Sequence, residues 1–167
     1  MKILVAEDEL DIAEMYMAML QERGHDVTVT HDGSECIKAY RDAIELLRDT
    51  SEEYLSQNPP FDVVVLDFKM PNMDGLRAAE LILVANKHQR IIFASAYAKY
   101  TLKESIERLH AVVELLPKPF DYQVLVNIIE NKSAHEELKK FNVILNKQER
   151  MQVDQLWDML KGLKKFE

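Results

Sequence analysis

The 167-residue sequence has a single cysteine, Cys36, and no long uninterrupted apolar run. One cysteine excludes an internal disulfide, and a small buried core position is the predicted role of Cys36. A membrane-spanning helix needs roughly 20 apolar residues. The longest apolar runs, such as residues 15–20, are far shorter, and strand-like sequence begins at the first residues. We therefore expect a soluble, cytoplasmic protein without membrane association.

Basic side chains are outnumbered by acidic ones, with 21 Lys and Arg against 29 Asp and Glu and a net charge of −8. The imbalance is uneven, since residues 1–132 hold 14 basic and 23 acidic side chains, a net of −9, whereas residues 133–167 hold 7 and 6, a net of +1. Neither part has the basic surface that nucleic-acid binding usually requires, so we expect no nucleic acid partner. The acidic first part could instead hold a cation.

A short apolar run that ends in a carboxylate organises the sequence. Residues 63–66 read Val-Val-Val-Leu, and a β-branched run of this length is typical of a strand buried on both faces of a parallel sheet. Asp67 follows directly, which predicts its carboxylate at the sheet edge where open α/β folds bind their ligands. Turn-forming residues within 71–75 then separate this strand from a helix that begins near Leu76.

Similar segments on either side predict the fold class. The further predicted strands are residues 3–6, 26–30, 90–96 and 112–116. The predicted helices are residues 11–23, a helix from 34 onward, 76–86, 101–109 and a helix from 121 onward. Because strands and helices alternate five times, we expect an α/β fold with a doubly wound five-stranded parallel sheet and helices on both faces. Segment 26–30 alternates polar and apolar residues, which predicts an edge strand.

The first two helices carry more specific predictions. In the first helix, apolar residues at helical spacing are predicted to pack inward; they are Ile12, Met15, Met19 and Leu20. After the second helix, residues 48–60 make the connection longer than a compact crossover needs. We interpret this segment as an extended helix or an additional surface turn, and favour a tolerated insertion over a docking surface.

The strand ends direct chemically related groups to one edge of the sheet. Glu7 and Asp8 follow the first strand, while Asp67, Ser95 and Lys118 follow the third, fourth and fifth. Clustered carboxylates without a nearby cysteine or histidine favour a hard cation such as Mg²⁺. Such an ion would neutralise the like charges and orient a phosphoryl group, with the lysine and the hydroxyl holding its other oxygens. Asp67 is the natural nucleophile, because an ionised carboxylate can accept a phosphoryl group without a general base.

Purely structural roles are the alternatives for the same residues. Asp67 could cap the following loop, Glu7 and Asp8 could cap the first helix, and Lys118 could be an ordinary solvated lysine. The two prolines that flank Lys118 restrict its direction. Ser95 alone is a weak signal, since hydroxyls often end strands, but the combination of acids, hydroxyl and lysine favours the functional interpretation.

Four motifs occur in the order LVAEDE at 4–9, VLDFKMPNMDG at 65–75, ASA at 94–96 and LPKPF at 116–120. Together they resemble the receiver domain of two-component response regulators. The resemblance covers about residues 1–132 and implies the flavodoxin-like sheet order 2-1-3-4-5. It implies a histidine kinase or phosphotransfer protein as phosphoryl donor, and a downstream protein as target. The resemblance further implies that this chain is not an enzyme acting on a separate substrate and catalyses only its own phosphotransfer and dephosphorylation.

The resemblance also implies roles for single residues. Asp67 matches the phosphoacceptor. The matching Mg²⁺ ligands are Asp8, Asp67 and the backbone carbonyl of Lys69, with Glu7 acting through a water. These assignments add the carbonyl and the water-mediated contact to what the acidic strand ends predict by themselves.

The switch positions follow the family with one exception. Ser95 matches the hydroxyl that moves toward the phosphoryl group, Lys118 matches the lysine that pairs with it, and Pro119 lies where the family has a cis peptide that would direct the lysine. Three residues before that lysine the family usually has an aromatic residue that swings inward on activation, and this chain has Leu115. An aliphatic side chain offers a partner neither ring nor hydroxyl, so output is the property in which we expect this chain to differ.

Residues 133–167 are predicted to be a helical extension. Ser133 and Glu136 form a capping-box pattern, and apolar residues then recur at helical spacing in segments 138–145 and 153–163. The extension is too small and not basic enough for a DNA-binding output domain. The apolar stripe around Trp157 favours coiled-coil-like homodimerisation, with intramolecular docking or a partner protein as alternatives.

Two classes of function therefore remain. The first is a phosphorylatable signalling switch that acts through protein contacts, and the second is a receiver-shaped interaction or scaffold module that does not depend on phosphate. The complete set of acids, hydroxyl and lysine favours the first. A small-molecule enzyme is disfavoured, because the sequence shows no Gly-rich phosphate loop, catalytic dyad or metal-ligand histidine pair.

Overall fold

The computed structural model describes residues 1–47, 54, 58–96, 109, 111 and 113–131. The strands in this part of the chain are β1 Lys2–Ala6, β2 Asp26–Thr30, β3 Val63–Asp67, β4 Ile91–Ser95 and β5 Glu114–Pro117. The helices are α1 Leu10–Glu22, α2 Gly33–Glu45, α3 Gly75–Ala85 and α4 Tyr122–Glu130. Among these residues, no helix combines the length and apolar character needed to cross a bilayer. The chain divides into two compact units, Met1–Val126 and Asn127–Glu167, and the sheet belongs to the first.

The five strands form one parallel sheet in the order β2-β1-β3-β4-β5, which confirms the predicted fold. Central strand β3 is flanked on both sides, since Val64 lies opposite Leu4 of β1 and Ile91 of β4. Its apolar residues 63–66 are at most 1% exposed, as expected for a strand covered on both faces. The alternating strand β2 lies at an edge of the sheet, as predicted. Cys36 is a buried core residue, also as predicted.

The buried face of α1 differs from the predicted one. Its buried residues are Ala13, Tyr16 and Leu20, whereas the other predicted inward residues are only half-buried, namely Ile12, Met15 and Met19. The face is centred on Tyr16 because its ring packs against two aromatic rings that follow β5, at centroid distances of 6.2 and 5.9 Å. Helical periodicity predicted the helix but placed the inward stripe about one residue off, since the rings that select it, Phe120 and Tyr122, are distant in the sequence.

Strand β5 runs from Glu114 to Pro117, somewhat later than the predicted 112–116. Its pairing with β4 explains the difference, because Glu114 lies opposite Ile92 and Pro117 opposite Ser95. A proline is tolerated there because β5 is an edge strand. At the start of the pair, Arg90 Nε and Nη2 donate to the two oxygens of Glu114 at 2.7 and 2.9 Å in a buried ion pair.

Several predictions fall largely or wholly outside the described residues. They concern most of the 48–60 insertion, most of the 101–109 helix, and the extension at 133–167. The second predicted helix corresponds to α2, which ends at Glu45. The last corresponds to α4, which begins after Asp121, whose side chain accepts the backbone N–H of Gln123 at 2.8 Å as predicted for a helix cap.

The turn between β3 and α3 is held by close backbone contacts. Asp74 caps α3 by accepting the backbone N–H of Arg77 at 2.7 Å. Gly75 donates its N–H to the carbonyl of Phe68 at 3.0 Å, and a Cβ on Gly75 would overlap the carbonyl oxygen of Asp67. Glycine at this position therefore lets the helix begin directly against the end of β3.

Candidate functional site

Three carboxylates converge at the carboxyl ends of the two central strands. Glu7 follows β1 directly, Asp8 is the next residue, and Asp67 is the last residue of β3. Since β1 and β3 are neighbours in the sheet, one carboxylate oxygen from each of the three residues lies within 4.8 Å of the others. Glu7 is fully buried and Asp67 is 9% exposed, whereas Asp8 is exposed to solvent. The structure thus brings together the acids that the strand ends predict.

Lys118 joins two of these acids. Its Nζ donates to Glu7 Oε2 and to Asp67 Oδ2, both at 2.7 Å, and its side chain is only 13% exposed. The backbone N–H of Lys118 donates to the carbonyl of Ser95 at 2.7 Å, and the peptide bond between Lys118 and Pro119 is cis. The ammonium is therefore held over the acids and is not an ordinary solvated surface charge.

The remaining predicted site residues lie at the same edge or beside it. Ser95 is the last residue of β4 and is 2% exposed. The backbone N–H of Lys69 donates to Asp67 Oδ1 at 3.2 Å, so Asp67 also makes the loop contact expected of a purely structural aspartate. Leu115 lies in β5, half-buried against the hydrophobic core.

The capping role considered for the first acids is not seen. Helix α1 begins at Leu10, and its N-cap is Glu9, whose side chain makes no capping hydrogen bond. The carboxylate of Glu7 instead accepts a hydrogen bond from the ammonium of Lys118.

Burial and charge act in opposite directions at this site. Burial raises the pKa of Glu7 to about 7, although the hydrogen bond and charge of Lys118 oppose the shift, and the charges of Asp67 and Asp8 add to it. For Lys118, burial disfavours the ammonium, but the hydrogen bonds and charges of Asp67 and Glu7 outweigh this effect and raise its pKa above the ordinary value. The lysine is therefore charged at neutral pH, and Glu7 is poised between its two protonation states.

The donor set fits a hard divalent cation. Glu7 Oε1 is buried and has no hydrogen-bond partner among the residues that the structure describes. A buried unpaired carboxylate oxygen is costly, and a cation with a bound water would supply the missing partner. All three side chains offer oxygen ligands, which Mg²⁺ prefers.

Contacts that support the site from β2 are not predicted by the sequence. The carbonyl of Thr30 accepts the backbone N–H of Glu7 at 3.0 Å, which fixes the chain as it leaves β1. Beyond it, Asp32 accepts a hydrogen bond from Asn72, a residue 40 positions away. The Asp-Gly pair at 32–33 signals a helix start, but no local pattern identifies the distant partner.

The raised pKa of Glu7 predicts a pH effect on stability in metal-free protein. The carboxyl has an ordinary pKa of 4.5 and a folded-state value of about 7. Between these values the folded state binds more protons than the unfolded state, so raising the pH lowers the free energy of unfolding. Glu7→Gln removes this titration. The free energy of unfolding of the variant, relative to that of the native protein, should rise by about 3 kcal/mol between about pH 4.5 and about pH 8, measured by urea unfolding in EDTA.

Glu9→Gln is the matched control, because Glu9 is an exposed neighbour without a capping bond. Glu9→Gln should not reproduce the pH-dependent difference expected of Glu7→Gln. A Glu7→Gln difference that does not change across this range would contradict the shifted titration.

Comparison with known proteins agrees with the geometry. The family model of the response regulator receiver domain matches residues 3–130. The chain is 29% identical over 129 residues to the response regulator receiver protein CpdR of Brucella abortus, covering 77% of this chain and 93% of that protein. A chain in the crystal structure of the CheX-CheY-BeF3-Mg²⁺ complex from Borrelia burgdorferi is similar with a TM-score of 0.60 and 25% identity, over 77% of this chain and 86% of that one.

A further relative shows how such a segment occurs in a larger protein. Over 82 residues the chain is 38% identical to Probable histidine kinase 2 of Oryza sativa subsp. indica, which is 49% of this chain but 8% of that protein. The similarity therefore concerns one segment of the kinase and not its whole length. The match of the family model over most of the chain is the decisive finding: the protein belongs to the response regulator receiver domain family.

Proposed function

We propose that this protein is a response regulator of a two-component phosphorelay, which accepts a phosphoryl group on Asp67 and signals through protein contacts. The observation that carries the proposal is the double contact of Lys118 Nζ, 2.7 Å from the carboxylates of both Glu7 and Asp67. In the proposed transfer, this fixed positive charge would lie beside the attacking carboxylate and would stabilise the negative charge spread over the phosphoryl oxygens.

The proposed transfer is a displacement at phosphorus. A carboxylate oxygen of Asp67 forms the new bond to phosphorus while the bond from phosphorus to the donor breaks, and the donor keeps that electron pair. No base is required because the nucleophile is already ionised. Lys118 and the hydroxyl of Ser95 would contact the phosphoryl oxygens.

The proposed cofactor is Mg²⁺. Asp8, Asp67 and the backbone carbonyl of Lys69 would hold it, and Glu7 would contribute through a water. When bound, the ion supplies neutralising charge and orientation for the phosphoryl group. The open carboxylate oxygen of Glu7 and the cluster of three acids support this assignment.

The proposed partners follow from the family. The phosphoryl donor would be a histidine kinase or a phosphotransfer protein, and the phosphorylated form would act on a downstream protein in the cytoplasm, without a nucleic acid or membrane partner. The named components of the Borrelia complex include Mg²⁺, BeF3 and a second protein, CheX. By analogy we propose that a protein partner recognises this chain in one of its two states. Its reactions would be limited to its own phosphotransfer and dephosphorylation.

A second function is supported by one residue. Leu115 stands where the family usually has an aromatic switch residue, and its side chain is already half-buried against the core. This favours, as the alternative, an interaction module whose contacts do not depend on phosphate.

We also propose that residues 1–132 act as the receiver and residues 133–167 as a helical extension. The family match ends at residue 130, close to this boundary. The extension would join two copies of the chain through its apolar stripe around Trp157.

Mass spectrometry tests the phosphoacceptor. After incubation with phosphoramidate and Mg²⁺, the intact protein should gain the mass of one phosphoryl group, and Asp67→Asn should gain none because the amide cannot form the acyl phosphate. Asp74→Asn is the control, since it alters an exposed acid of the same turn, and it should be phosphorylated like the native chain. A native chain that gains no phosphoryl group, even from candidate kinases, would favour the alternative function. A gain that persists in Asp67→Asn would contradict the assigned acceptor.

Light scattering tests the extension. The full chain should have the mass of a dimer, and Leu156→Asp with Leu160→Asp should shift it toward the monomer, because charged residues in an apolar seam disfavour pairing. Full-length protein that is monomeric at all concentrations would refute the dimer.

A further inference from the structure

The turn between β3 and α3, residues 68–74, lies beside the acidic cluster and contains Lys69. One end of this turn is held by Gly75, through its hydrogen bond to Phe68 and its close approach to Asp67. These contacts leave the middle of the turn, around Asn72 and Met73, to be fixed by other residues. The backbone there is unusual, because Asn72 has a φ of 61°, in the left-handed region that few non-glycine residues adopt.

The residues that fix the middle of the turn lie at the start of α2. Asn72 Nδ2 donates to Asp32 Oδ2 at 2.6 Å, an orientation required by the carboxylate, which can only accept. The backbone N–H of Gly33 donates to the carbonyl of Met73 at 3.0 Å. A Cβ on Gly33 would lie 2.5 Å from that same carbonyl oxygen. Side chain and backbone therefore join the turn to α2 at two adjacent residues.

Asp32 divides its two carboxylate oxygens between two tasks. Oδ1 accepts the backbone N–H of Glu35 at 2.8 Å and caps α2, while Oδ2 accepts Asn72. The hydrogen bonds from the Glu35 backbone and the Asn72 amide hold the pKa of Asp32 below its ordinary value. Capping needs only one oxygen, so the bond to Asn72 is an additional contact that capping does not explain.

The chain that leads into α2 also contacts the other side of the site, where Glu7 lies. The carbonyl of Thr30, two residues before Asp32, accepts the backbone N–H of Glu7 at 3.0 Å. The chain from Thr30 to Gly33 therefore contacts both the segment that carries Glu7 and the turn that carries Lys69. It links the two strand ends from which the acids of the site project.

We propose that Asp32 and Asn72 are a positioning pair, whose hydrogen bond holds the 68–74 turn in the conformation that the cation site requires. This inference rests on the proposed function, since it concerns Mg²⁺ binding at the same acids. Neither residue would touch the ion. Their bond would act through the backbone of the turn, and its loss would leave the turn free to move away from Asp67 and Asp8.

Variants can separate this bond from charge, backbone and capping effects. Asn72→Gly keeps the left-handed backbone without strain and removes the side chain that donates to Asp32. Asp32→Ser keeps a good helix cap but removes the second oxygen, which accepts the hydrogen bond from Asn72. The exchange Asp32→Asn with Asn72→Asp conserves net charge and restores a donor and an acceptor. Asp74→Ser is the control for charge, because it removes an acid from the same turn and retains a cap for α3.

Mg²⁺ titration by calorimetry measures the effect on each variant. Asn72→Gly and Asp32→Ser should each lose about tenfold in Mg²⁺ affinity, a typical loss for a residue that orients a metal site. The double variant, Asp32→Ser with Asn72→Gly, should lose no more Mg²⁺ affinity than either single variant, because both substitutions remove the same bond. The exchanged pair should regain most of the affinity, and Asp74→Ser should differ from the native protein by less than about threefold.

Nuclear magnetic resonance of the metal-free protein supplies an independent readout. The amide of Lys69, which donates to Asp67, should shift in Asn72→Gly and return in the exchanged pair. The melting temperature of each variant in EDTA should differ from that of the native protein by no more than about 4 °C. Native-like affinity in Asn72→Gly, an equal loss in Asp74→Ser, or no recovery in the exchanged pair would overturn the inference. A native protein that binds no Mg²⁺ would overturn the proposed function instead.

Discussion

The contact of one ammonium with two carboxylates is the interaction on which the site depends. Glu7 and Asp67 lie at the ends of adjacent strands, and without Lys118 their negative charges would repel each other in a poorly solvated region. The Nζ atom, 2.7 Å from each, compensates this repulsion. When all are ionised, three acids and one lysine sum to a charge of −2, which a divalent cation balances. Lys118 therefore compensates only part of the acidic charge, and the remainder would attract a divalent cation.

The fold supplies this geometry through rigid elements. Parallel strands β1 and β3 carry their acids to one edge, and the hydrogen bond from the Lys118 backbone to Ser95 brings the lysine from the outer strand toward the centre. The turn after Asp67 is constrained by Gly75 at its end and by Asp32 in its middle. Asp67 thus lies at the junction of these packed segments.

How much of this could be predicted depends on the sequence distance of the contacts involved. Local patterns sufficed for the fold and for the groups at the edge. They are the apolar run at 63–66, the alternation at 26–30 and the acids after β1 and β3. Contacts between distant segments were missed. The inward face of α1 is selected by aromatic rings after β5, and the bond between Asp32 and Asn72 joins residues 40 positions apart. Periodicity detects which residues can face a core, whereas tertiary packing decides which of them do.

The central claim is that Lys118 is held by Asp67 in the folded protein. Titration of the Lys118 side chain by nuclear magnetic resonance, in the native chain and in Asp67→Asn, tests it most directly. The account predicts a native pKa above the ordinary value for lysine and a clear fall in the variant, because a neutral amide no longer favours the ammonium. An ordinary or lowered pKa in the native chain, unchanged in Asp67→Asn, would contradict it.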